Sequence, residues 1–113
     1  MKVVDRKTFL GLPEGTIYHK GKPWYFGNLS IKGESLSHDW FYCDPSWVDA
    51  NDMGEAASRL EEMLAAGASY PCETNYGRDG CFDEEELFLV YEHADLIWLR
   101  EQINKAVAMV EAA

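Results

Sequence analysis

The chain is short of basic residues. Ten Lys and Arg stand against twenty Asp and Glu in 113 residues, a formal charge of −10. A field of that sign repels nucleic-acid and membrane phosphates and favours basic partners. Long apolar runs are also missing. None exceeds five residues, whereas a membrane span needs about 20. Cysteine is scarce and odd in number: Cys43, Cys72 and Cys81. With no leader-like segment ahead of them, they set the expectation of a reducing cytosolic compartment. Catalytic signatures are absent too. There is no Cys-x-x-Cys, and Gly77-Arg78-Asp79-Gly80 lacks the lysine and the following helix of a phosphate-binding loop.

Aromatic residues are abundant. Four Trp, six Tyr and five Phe are more than the interior of so small a domain readily absorbs, so some rings are expected on a binding surface. The charge is uneven. Residues 1–34 carry six basic and three acidic side chains, and residues 35–113 carry four basic and seventeen acidic.

Leu87-Phe88-Leu89-Val90-Tyr91 has the length and composition of a buried strand. Ahead of it, Asp5 is placed to cap a short helix through Thr8-Phe9-Leu10 that Gly11 and Pro13 stop. Thr16 to Lys20 reads as a strand, with a Gly21-Lys22-Pro23 turn. Trp24-Tyr25-Phe26 and Leu29 to Lys32 read as a second strand, kinked or bulged at Gly27-Asn28. A turn is expected at Lys32-Gly33-Glu34, then a third strand from Asp39 to Cys43 ending at Asp44-Pro45. Asp52-Met53-Gly54-Glu55 has the form of a capping box. It opens a helix with Met53, Ala56, Ala57, Leu60, Met63 and Leu64 on one stripe and Gly67 as terminator. Ala68 to Glu86 reads as a long loop. A last helix, about Ala94 to Glu111, carries Leu96, Leu99, Ile103, Ala106, Val107 and Val110 on its core face. The expectation is one α+β domain over 1–113. Its antiparallel sheet has about four strands with two main helices packed on it, in the order α-β-β-β-α-β-α.

Several residue sets invite a site. Asn75–Glu86 matches parts of a calcium loop, with Asn75 first, Asp79 fifth, Gly80 sixth, Asp83 ninth and Glu86 twelfth. Gly77 in third place supplies no ligand and no helix enters, which leaves an acidic loop before a strand. His38, Cys43, Cys72 and Cys81 are wrongly spaced for zinc, so no metal and no cofactor are expected. Cys72 or Cys81 with His19, His38 or His93 makes only a generic nucleophile–base list, and no catalytic residue is assigned. Two surface candidates remain. Trp98, Ile97 and Met109 fall off the core stripe of the last helix, where they join the carboxylates Asp79, Asp83, Glu84, Glu85 and Glu86 as partner-binding residues. Lys22, Trp24, Tyr25, Trp40, Tyr42, Trp47 and Arg78 form a second set, suited to a small planar ligand or a nucleotide.

Arg6-Lys7-Thr8-Phe9-Leu10, Leu12 to Tyr18, Phe26 to Glu34 and Gly77 to Phe82 resemble small uncharacterised phage and prophage proteins. That resemblance implies an accessory protein made inside a bacterial host, of the kind that disarms host defence, anti-CRISPR inhibitors included. It carries no site residues. Together the readings give a small acidic non-enzymatic protein that binds and inhibits a host protein or nucleoprotein complex with a basic surface. A nucleotide-sequestering protein is the alternative, and self-association through the last helix a third reading.

Overall fold

A computed structural model describes residues 1–80 and 83–113. The elements run β1 (Lys2–Asp5), α1 (Arg6–Leu10), β2 (Ile17–Lys22), β3 (Tyr25–Ser35), β4 (Trp40–Val48), α2 (Met53–Ala66), β5 (Cys72–Asp79), β6 (Leu87–Val90) and α3 (His93–Ala112). All six strands join one sheet in the order β1-β6-β2-β3-β4-β5, and every ladder is antiparallel. The α+β class therefore holds, but with six strands in place of four.

The helix ends follow their local chemistry. Asp5 accepts a 2.8 Å hydrogen bond from the Thr8 amide and starts α1, and Asp52 does the same for the Glu55 amide at α2. Gly67 ends α2 in the left-handed region at φ 68°, where a Cβ would strain the backbone. Glu92 and Asp95 form the capping box of α3, so His93 is the first helical residue and does not cap.

The β2–β3 hairpin turns at Pro23-Trp24, past the Gly21-Lys22-Pro23 turn expected. Lys22 already pairs with Tyr25, and Gly21 allows the close approach, since a Cβ there would lie 2.0 Å from the Tyr25 carbonyl oxygen. Gly27-Asn28 then stands opposite Lys20 alone, the expected bulge. Two expected breaks are bulges within longer strands. Gly33-Glu34 stands opposite Phe41, and Pro45-Ser46 opposite Thr74. A proline without a donor fits at such an irregularity.

β1 and β5 depart from the sequence reading because both are edge strands with weak alternation. β5, Cys-Glu-Thr-Asn-Tyr-Gly-Arg-Asp, is largely polar, and only its ladder with β4 makes it a strand.

The sheet buries one face. Phe9 of α1 stacks on Phe88 at 4.0 Å and meets Tyr18 and Trp40 edge-on at 4.6 and 5.0 Å. With Val90 these four rings are the buried core. Trp40 Nε1 donates to the Tyr18 hydroxyl at 2.9 Å, so the polar edge of the indole has its partner. Burial pushes the Tyr18 phenol well above its usual range. The opposite face carries Val3, Ile17, Leu29, Ile31, Cys43, Leu87 and Leu89; Val3 is exposed and the others are half-buried.

The expected helix packing holds only in part. α2 contacts β4 and buries Ala56, and on α3 Leu96, Ile97 and Leu99 are half-buried. Leu60, Leu64, Ile103, Val107 and Val110, placed on core stripes from their spacing, are exposed. Periodicity shows that a face is apolar and leaves open what covers it. Among the described residues no helix is long and apolar enough to cross a membrane.

Replacing Phe9 by Ala should cost about 3–5 kcal/mol in denaturant unfolding. Leu64→Ala, at a residue 91% exposed, should stay within about 0.5 kcal/mol. Equal losses would contradict a one-sided core.

Candidate functional site

The concave side of the sheet holds the structured polar groups. β2 and β5 stand three strand spacings apart, about 14 Å in a flat sheet. Yet Lys20 Nζ of β2 lies 2.7 Å from Asp79 Oδ2 of β5. The sheet therefore curls enough for these two side chains to meet, and its inner side continues from the aromatic core into a polar recess. Tyr18, Lys20, Asn28, Ser30, Tyr42, Asp44 and Asp79 line that recess, with a volume of about 210 Å³.

The recess exists because two ribbons part. β3 and β4 pair from Ser35↔Trp40 only as far as Ile31↔Cys43. Beyond that point β3 stays with β2 to Tyr25 and β4 stays with β5 to Val48. Asp44 sits at the fork. It accepts from Ser30 Oγ at 2.9 Å across the gap and from Asn75 Nδ2 at 3.4 Å. Neither partner is a cation. A second recess of about 370 Å³ continues past the fork, lined by Asn28, Leu29, Asp44, Pro45, Ser46 and Trp47. A carboxylate beside a half-exposed indole suits a guanidinium or ammonium group.

The fork adjoins an acidic arm. Residues 44–73, from the end of β4 through α2 to the start of β5, carry Asp44, Asp49, Asp52, Glu55, Glu61, Glu62 and Glu73 against one base, Arg59. Arg59 is held by Glu55 at 2.7 Å and Asp49 at 3.7 Å, and its guanidinium lies 5.0 Å from the Tyr70 ring. Trp47, Met53, Leu60, Leu64 and Tyr76 are exposed on or beside this arm.

The carboxylates expected to meet a partner are differently placed. Glu86 is buried and bonded to Arg6 at 3.1 Å, with Lys20 at 3.5 Å. Asp79 is held by Lys20 and Asp83 by Lys22 at 2.8 Å. Of that set, Glu84 and Glu85 are exposed and form no ion pair among the described residues. Hydrophobic spacing could not reveal this, because the cations come from residues 6, 20 and 22, far away in sequence. The same bonds remove the calcium-loop reading. Asn75 and Asp79 lie in extended β5, and the carboxylates at the fifth, ninth and twelfth positions are bound to Lys or Arg. Cys81 and Phe82 lie outside the described residues, as does every pairing that involves Cys81.

The aromatic set disperses. Trp40 is core. Trp24, 84% exposed, and Tyr25 form the β2–β3 tip. Tyr42 lines the recess and Trp47 the fork. Lys22 is tied to Asp83, and Arg78 to Asp39 at 2.7 Å. On α3, Trp98 and Met109 are exposed and Ile97 is half-buried. The titratable candidates are also apart. His19 has Nδ1 2.8 Å from the Gly27 carbonyl oxygen and Nε2 2.8 Å from the Tyr91 hydroxyl. Cys72 lies 3.3 Å from Ser46 Oγ, and burial pushes the Cys43 thiol up. Among the described residues no three His, Cys, Asp or Glu side chains converge as metal ligands.

Burial holds the Glu86 carboxyl above its usual range, with Lys20 and Arg6 pulling the other way. The folded chain thus binds this proton more tightly than the unfolded chain. The resulting contribution to stability is complete below the unfolded pKa and fades as pH rises through the folded one. Arg6→Met removes a cation from a buried pair and should cost about 3–5 kcal/mol at pH 7. The loss should shrink as the solution is made acid and Glu86 takes up its proton. A pH-independent loss would contradict the pairing.

The chain matches no family model, no curated protein and no solved structure.

Proposed function

We propose that this is a non-enzymatic binding protein that docks its acidic arm on a basic surface of a host protein or nucleoprotein complex and blocks it. The observation that carries the reading is the concentration of charge at residues 44–73. Seven carboxylates there face one arginine, with apolar residues exposed among them. Carboxylates steer a basic partner, and buried aromatic or aliphatic anchors hold it. Asp44 and Trp47 at the fork are placed to take one Arg or Lys side chain of that partner. The protein would work in the cytoplasm, that of the host if phage-encoded, as the sequence resemblance implies.

The nucleotide-binding alternative has less support. Its cations Lys22 and Arg78 are already engaged, and Asp44 and Asp79 line the recess that would face a phosphate. Carboxylates disfavour that ligand.

Capture from a bacterial lysate followed by binding measurements on the captured partner tests the reading. Affinity should fall about tenfold or more on raising salt, because exposed charge pairs are screened. The triple reversal Glu61→Lys, Glu62→Lys and Glu73→Lys should abolish binding, while Glu84→Lys with Glu85→Lys should weaken it only modestly. Affinity indifferent to salt and to the triple reversal would overturn the proposal.

A further inference from the structure

The chain exposes far more surface than its size requires. Its accessible surface is 7928 Å², where a compact monomer of 12.9 kDa exposes about 6,300 Å². Its radius of gyration is 16.4 Å, against roughly 13 Å for a compact chain of this length. The surplus of about 1,600 Å² is twice what one partner contributes to a standard protein–protein interface.

α3 adds to it. This helix of 20 residues is about 30 Å long and has no buried residue. Leu96, Leu99, Ile103, Ala106 and Val110 follow one another at intervals of three and four, the spacing of a helix-pairing seam. Ile103 is 56% exposed and Val110 76%.

We infer that α3 pairs antiparallel with α3 of a second copy, so that the protein is a homodimer. Charge selects this occupant. Asp95, Glu101 and Glu111 are nearly balanced by Arg100 and Lys105, so α3 carries −1 of the total −10. Two copies that repel elsewhere can meet along this helix, where a basic partner would find little to attract it. Area agrees, because a standard interface takes about 800 Å² from each partner. That is half the surplus, and it leaves the α2 stripe and the open sheet face for other contacts.

Side-chain volume selects the orientation. An antiparallel pair centred on Ile103 sets Leu99 against Val107 and Leu96 against Val110, a longer side chain against a shorter one each time. A parallel pair sets Ala106 against Ala106 and leaves a gap. The antiparallel pair also places the two acidic sheets at opposite ends of a helix of about 30 Å, beyond the screening length of about 8 Å at physiological salt.

Sedimentation equilibrium of the full chain over a range of concentrations tests this. The expected mass is twice 12.9 kDa. Ile103→Asp should give a monomer and Ile103→Leu should keep the dimer. Ile103 is exposed in the single chain, so the Asp variant should keep a folded circular dichroism spectrum, which separates lost pairing from lost folding. Ala106→Leu should weaken the dimer at least tenfold by crowding the layer of Leu99 and Val107 beside it. A wild-type monomer at every concentration, or a dimeric Ile103→Asp, would overturn the inference. A tighter Ala106→Leu dimer would overturn the antiparallel arrangement.

Discussion

The stack of Phe9 on Phe88, closed by Tyr18 and Trp40, is the constraint on which the rest of this molecule depends. It binds α1 to three non-consecutive strands and holds the concave side of the sheet dry. The three largest fully buried side chains belong to it. A five-residue helix would be unstable alone in water; here it is held because its Phe9 completes the core. The apolar residues of the opposite face are only half-buried, and none of them is fully enclosed. The chain thus spends its strongest packing on one side and presents apolar surface elsewhere.

Electrostatics follows the same division. Where the concave face continues beyond the rings, Arg6, Lys20 and Lys22 from the first part of the chain meet Glu86, Asp79 and Asp83 from the later part. These pairs fasten the curl and consume most of the basic residues near the core. Lys32 is buried against the Phe9 ring and bonds the Ser35 hydroxyl, which in turn donates to the Leu10 carbonyl at the end of α1. Burial lowers its pKa. With the cations spent in this way, the arm from Asp44 to Glu73 keeps its negative charge almost unopposed. Acidity is therefore strongest where the sheet forks and α2 projects, which is also where exposed aromatic and aliphatic side chains gather.

Local chemistry was readable from the sequence, and long-range chemistry was not. Asp5, Gly11, Asp52 and Gly67 announced their helix ends, and Gly27-Asn28 its bulge, because each acts through its immediate neighbours. Pro45 and Gly33-Glu34 looked like chain breaks and turned out to be bulges, since a residue pair that interrupts a strand alone is tolerated when flanking ladders continue. β5 carried no readable alternation because an edge strand buries little. The carboxylates of 79–86 looked like an acidic patch because nothing in their own segment reveals Arg6, Lys20 or Lys22. The stripes on α2 and α3 are apolar as read, but covered only in part: Ala56 is buried and Leu96 and Leu99 half-buried, while Leu60, Leu64, Ile103 and Val110 are exposed, since spacing cannot distinguish a face buried within the chain from one that awaits another chain.

The central claim is that this fold is closed on one side and completed by other chains on the rest. Amide hydrogen exchange on the native protein, compared at low and high concentration, tests it most directly. The account predicts strong, concentration-independent protection of β2 and β6. It also predicts that protection of α3 from Ile103 to Val110 is weak in dilute solution and rises as the protein is concentrated. Protection of that helix equal to β6 at the lowest concentration would show that the chain covers it by itself, and would contradict the account.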